Sequence, residues 1–104
     1  MLSNNLVPGQ IVKSKSGHDK GYVFFVVEVL DDFVMIADGD HRKLENPKKK
    51  KVKHLQPYNR INKTVAEKLK SGAKIENIEL QRELEKSGAI ELAMANQEEM
   101  ETDV

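Results

Sequence analysis

The sequence predicts a mainly β protein, a small antiparallel barrel followed by a C-terminal α-helical extension and an acidic tail. Three observations predict it. The first half consists of short β-branched and aromatic runs separated by turn residues. Past Tyr58 the apolar period lengthens to that of a helix, and the last residues are rich in carboxylates. A chain of 104 residues is sized for one domain, and 38% hydrophobic against 33% charged residues allows only a modest core. The expected organisation is a barrel over 1–58, a helical extension over 59–89 and an acidic, disordered tail over 90–104.

Pro8-Gly9 marks a turn into a first strand that ends near Lys15. Ser16 to Gly21 is a loop by composition. Tyr22 to Val29 is β-branched and aromatic throughout, as in a strand covered on both faces. Asp31-Asp32 turns the chain into a third strand, Phe33 to Ala37, and Asp38-Gly39-Asp40 supplies tight-turn chemistry. His41 to Glu45 is expected to return as a fourth strand. Asn46-Pro47 then opens a loop carrying Lys48 to Lys51, and Val52 to Gln56 closes the sheet before Pro57 ends it.

In the second half, Thr64-Val65-Ala66-Glu67 has the form of a capping box, with Val65 and Leu69 one turn apart and Ser71-Gly72 as the stop. A second helix is expected from about Asn77, with Leu80 and Leu84 on one face and Ser87-Gly88 as its end. Lys-Ser-Gly-Ala occurs at 70–73 and again at 86–89, a short recurrence that suggests two similar helical arms.

Seventeen Lys and Arg cancel seventeen Asp and Glu, but unevenly. From Met1 to Arg60 there are eleven basic against seven acidic residues, and from Ile61 to Val104 six against ten. A balance of +4 beside one of −4 places any polyanion-binding surface in the first half. The chain lacks cysteine, which excludes disulfides and thiolate metal sites. No apolar run has the length of a membrane span or follows a basic leader, so a cytoplasmic protein without membrane contact is expected. Asp31, Asp32, Asp38 and Asp40 fall in turns where Asp is favoured for backbone reasons, and they fit neither a calcium loop nor a His/carboxylate site. No nucleophile elbow or phosphate-binding glycine loop is present. We therefore expect no catalysis, no metal, no cofactor and no small-molecule substrate.

Gly9 to Gly21, followed by the apolar strand to Val29 and the Asp38-Gly39 turn, resembles the KOW motif, with Gly21 standing where its key glycine does. The stretch through Arg42-Lys43-Leu44-Glu45, Pro47, the lysine run and Lys53-His54-Leu55 is similar to the KOW module of archaeal and eukaryotic large-subunit ribosomal proteins. It is more similar still to small bacterial KOW-domain RNA-binding proteins. The resemblance covers about Leu6 to Tyr58. It implies an SH3-like barrel that meets structured RNA, usually ribosomal, through its loops, with ribosomal proteins as further partners. Some KOW modules bind proteins instead, so a protein-interaction module of the translation or transcription machinery is the alternative expectation.

The dense cationic stretch is Lys48, Lys49, Lys50, Lys51 and Lys53, with Arg42 and Lys43 nearby and Lys13, Lys15 and Lys20 around the first loop. If the five lysines of the stretch each neutralise a phosphate, affinity for RNA falls about 10²-fold between roughly 50 and 200 mM salt. Such contacts supply affinity without reading bases. The plainer reading is a lysine-rich segment that keeps a sheet edge from aggregating. His18 or Tyr22 offers a ring for an unpaired base, and His54 a phosphate contact when protonated. Phe24, Phe25 and Phe33 are expected in the core. Gly21 is expected to serve structure, through positive φ or a close approach. The acidic tail is expected to aid solubility or to compete with RNA for the lysines.

Overall fold

The computed structural model describes residues 5–94. Five strands, β1 (Gln10–Ser14), β2 (Val23–Val29), β3 (Phe33–Ala37), β4 (Lys48–Lys51) and β5 (Leu55–Ile61), form one antiparallel sheet in the order β4-β3-β2-β1-β5. Two helices follow, α1 (Lys63–Ser71) and α2 (Asn77–Ser87), and residues 89–94 are helical again. The mainly β class, the first three strands and the two helix stops at Gly72 and Gly88 are as the sequence predicts.

Side chains alternate across a strand, and both faces of this sheet are covered. Ile11, Val23 and Phe25 pack on the helix side with Val65, Leu80, Leu84, Ala89 and Ala93. Val12, Phe24, Val26, Val34 and Ile36 face the other way and pack with Leu6 and Leu55. That is why β2 is apolar at consecutive positions. The helices are fastened by polar contacts as well: Asn62 donates to Glu83 at 2.6 Å, and Lys68 to Glu79 at 2.7 Å.

The structure departs from the expected one in four respects, the first in the sheet. It is not closed: β4 and β5 are its two edges. These edges are nonetheless consecutive in the chain, joined by a 3-10 turn of only three residues, Val52–His54. In a flat sheet they would stand about 19 Å apart, four spacings of roughly 4.8 Å, and the link spans at most about 14 Å. The sheet must therefore curl, with the second apolar cluster inside the curl. Secondly, β5 runs through Pro57 to Ile61, because an edge strand tolerates a residue without an N–H on its open side.

Thirdly, His41 to Glu45 is a loop, and the lysine run, expected as a loop, is the fourth strand. The cause lies in Asp38, whose Oδ1 accepts the backbone N–H groups of Asp40 at 2.9 Å and Arg42 at 2.8 Å. Those bonds draw the chain into a side-chain-closed turn. Asn77 then holds the loop, accepting from the Leu44 N–H at 2.8 Å and donating to Glu45 at 2.7 Å. Fourthly, the N-cap of α1 is Asn62, two residues before the expected Thr64, because the Asn62 Oδ1 accepts from the Val65 N–H at 3.0 Å. Of the expected tail, residues 90–94 are helical and the remainder lies outside the described residues.

Gly39 is where the loop meets α2. Its φ is +84°, and a Cβ there would stand 2.2 Å from the Asn77 carbonyl oxygen. Gly72 has a similar φ of +77° but open space around it. Gly39→Ala is therefore expected to cost more than about 3 kcal/mol in urea unfolding, against about 1 kcal/mol for Gly72→Ala. A second outcome concerns Tyr58, whose hydroxyl is buried without a hydrogen-bond partner among the described residues. Burial pushes this phenol up, against the opposing charge of Arg60. Because an orphan hydroxyl stabilises nothing, Tyr58→Phe is expected to be neutral or to gain about 1 kcal/mol in the same measurement.

Candidate nucleic-acid interface

Four successive lysines form a strand only if something offsets lysine's poor fit to a half-buried sheet. Pairing with β3 supplies the backbone bonds, setting Lys48 opposite Ile36, Lys49 opposite Met35, Lys50 opposite Val34 and Lys51 opposite Phe33. The period of two then sends alternate ammonium groups to opposite faces.

Lys48 and Lys50 point to the face of the second apolar cluster, and Asp19 meets them there. The Lys48 Nζ donates to Asp19 Oδ2 at 2.8 Å, and the Lys50 Nζ donates to Oδ1 at 2.8 Å and to the Ser16 carbonyl at 2.8 Å. The Ser14 hydroxyl donates to the same Oδ1 at 2.6 Å, with the Ser16 carbonyl at 3.0 Å as its other acceptor. Lys50 is 7% exposed. Burial alone would raise the Asp19 carboxyl, but hydrogen bonds from Lys48, Lys50 and Ser14 outweigh it and hold the group far below the usual carboxylate range. This cluster ties β4 to the loop between β1 and β2, where no strand pairing joins them.

Lys49 and Lys51 project from the other face and are exposed. The Lys49 ammonium stands 4.5 Å from the centre of the Phe33 ring, a cation–π contact. Phe33, expected in the core, is only half-buried, whereas Phe24 and Phe25 are fully buried. Phe33 and Lys51 border a shallow groove of about 550 Å³ that continues past Val52 to Lys53 and Asp32. Among the described residues, Lys49, Lys51 and Lys53 enter none of the ion pairs.

The remaining candidates fall into two groups. His54 is the last residue of the 3-10 turn, and the Lys15 N–H donates to its carbonyl at 2.8 Å. Lys13 lies opposite Gln56 and is half-buried, as is His54. Tyr22 instead stacks on His41, with ring centres 4.3 Å apart, beside Lys20 and the loop of Arg42 and Lys43. His18 is exposed in the loop between β1 and β2, and Gly21 in the same loop has the expected positive φ, +92°. Fewer cations are thus open to a partner than the sequence predicts, since Lys48 and Lys50 are consumed internally. Asp19, which the sequence places only in the first loop, Phe33, which it places in the core, and His41, which it places in a returning strand, are drawn in as well. Asp19 had a signal, being the only carboxylate before Glu28 among several lysines.

Among the described residues no group of three His, Asp or Glu is placed to hold a metal ion. No helix among them is long and apolar enough to cross a membrane. No protein-family model matches the chain, and no curated protein sequence matches it.

The buried pairing makes a stability prediction with a definite sign. Asp19 has a depressed folded pKa, so its contribution is complete above the unfolded carboxylate value near pH 4 and fades as the pH falls toward the folded value. Asp19→Asn leaves Lys50 buried without its counter-charge and is expected to cost about 3 kcal/mol or more at neutral pH. The wild-type chain should lose stability on acidification below about pH 4 by more than the variant does. Urea unfolding across pH measures both.

Proposed function

We propose that this chain binds structured RNA without catalysis, through the outward lysines of β4 and the turn that follows it. The observation that carries the reading is the division of the lysine run. Lys49, Lys51 and Lys53 remain exposed beside the partly buried ring of Phe33, which gives cations for phosphates next to a face for an unpaired base. The exposed Lys15, whose backbone N–H donates to the His54 carbonyl, adds a further cation next to the turn.

The resemblance of Leu6 to Tyr58 to KOW modules supports this reading and makes ribosomal RNA the first candidate. On this view the curled sheet is an SH3-like module in which the Asp19 cluster does the work of strand pairing at the gap. Cytoplasmic residence and association with ribosomal particles accompany the proposal. The alternative, a protein-interaction module of the translation or transcription machinery, would use the same lysines against an acidic protein.

Three outward lysines in place of five predict a gentler salt dependence. With a slope of roughly −0.7 to −0.9 per contact, RNA affinity should fall about 30-fold between roughly 50 and 200 mM salt. Reversing the charges with Lys49→Glu, Lys51→Glu and Lys53→Glu should weaken binding by more than about tenfold and flatten that dependence. Filter binding to purified ribosomal RNA checks both. A titration insensitive to salt, or a triple variant that binds as the wild type does, would overturn the proposal, and retention of an acidic protein without RNA would favour the alternative.

A further inference from the structure

A second surface has the opposite electrical character. Between the start of β2, the loop after β3 and α2 lies a groove of about 470 Å³, within the size range of sites that enclose a small ligand or a large side chain. Leu84, Ile90 and Ala93 give it an apolar lining, with the exposed Met94 at its edge. Its wall is the stacked pair of Tyr22 and His41, whose rings lie 17° from parallel and are about half exposed.

The polar groups on the rim are mainly acidic. Asp38, Asp40 and Glu85 line the groove against one cation among the described residues, Lys20. Asp38 is already engaged, its Oδ2 lying 3.0 Å from the His41 Nδ1 and its Oδ1 accepting two backbone N–H groups. It contributes negative background and fixes the His41 ring. Asp40 is 70% exposed, with its Oδ2 4.0 Å from the His41 Nδ1 and its other oxygen without an ion pair among the described residues, and Glu85 is exposed as well.

The groove is also held in shape before any ligand arrives. Gln81 donates to the Gly39 carbonyl at 2.8 Å, and Gly39 itself lies against Asn77, so the loop bearing Asp40 and His41 is pinned to α2. A preformed cleft loses little conformational freedom on binding.

We propose that this groove docks an arginine side chain presented by a partner polypeptide. Each part of the lining matches part of that side chain. The methylene stem covers the apolar lining. The planar guanidinium lies on the aromatic pair, and Asp40 and Glu85 accept its N–H groups. Lysine fits less well, since its ammonium group neither stacks nor donates in a fixed plane. A nucleic acid is disfavoured here because the carboxylates repel its phosphates. The inference stands apart from the RNA-binding proposal, which uses other residues.

The test is a titration of the isotopically labelled full chain with a blocked glycine-arginine-leucine-arginine-glycine peptide, followed by amide chemical shifts. The expected result is a set of shifts concentrated at Tyr22, Asp40, His41 and Glu85, with the lysine version of the peptide binding more weakly. Asp40→Asn with Glu85→Gln should weaken the arginine peptide about tenfold. The same double variant should leave affinity for ribosomal RNA unchanged. Shifts centred elsewhere, or binding indifferent to the double variant, would overturn the proposal. So would stronger perturbation of these amides by guanosine monophosphate, which would mark a nucleotide site.

Discussion

Asp19 is the constraint on which the arrangement turns. One carboxylate, set in the loop between the first two strands, receives two ammonium groups and a hydroxyl from residues that are otherwise far apart. A lysine as buried as Lys50 is costly unless a counter-charge and further acceptors meet it, and here Asp19 and the Ser16 carbonyl do so. The loop is thereby fixed against β4, across the gap that the sheet leaves between its edges. A buried ion pair of this kind adds little net stability over a well-packed apolar alternative. Its removal on one side, however, strands the other charge.

The same cluster gives the lysine run its division of labour. In a loop all four lysines would have been equivalent. In a strand, alternate residues face opposite ways, so Lys48 and Lys50 serve the fold while Lys49 and Lys51 remain outside. The outward pair brings Phe33 with it, because Phe33 is the cross-strand partner of Lys51 and lies under the Lys49 ammonium. Cation and ring are therefore placed together by register. The acidic groove near Tyr22 and His41 is a second surface with the opposite sign, so the near-zero net charge of the chain conceals two local fields.

What was legible in the sequence was local. Val23 to Val26 announce a strand buried on both faces, and the two Ser-Gly pairs at 71–72 and 87–88 announce helix ends, because their causes lie within a few residues. What was not legible depended on distant partners. Asn46-Pro47 points to a loop for the lysines that follow, and the residue that holds Lys48 in place on a strand instead lies twenty-nine positions upstream. His41 to Glu45 resembled a returning strand, but the Asp38 carboxylate and Asn77, thirty-three positions beyond Leu44, hold it as a loop. The basic character of the candidate site could be read from composition. Which of its cations are exposed could not, because that follows from strand register.

The account is tested most directly by the exchange of lysine ammonium protons with water, followed by nitrogen-detected magnetic resonance of the side chains at neutral pH. It predicts that Lys50, and to a lesser degree Lys48, give protected ammonium signals that vanish in Asp19→Asn, while Lys49 and Lys51 exchange rapidly in both proteins. Equal, rapid exchange at all four lysines of the wild-type chain would contradict it.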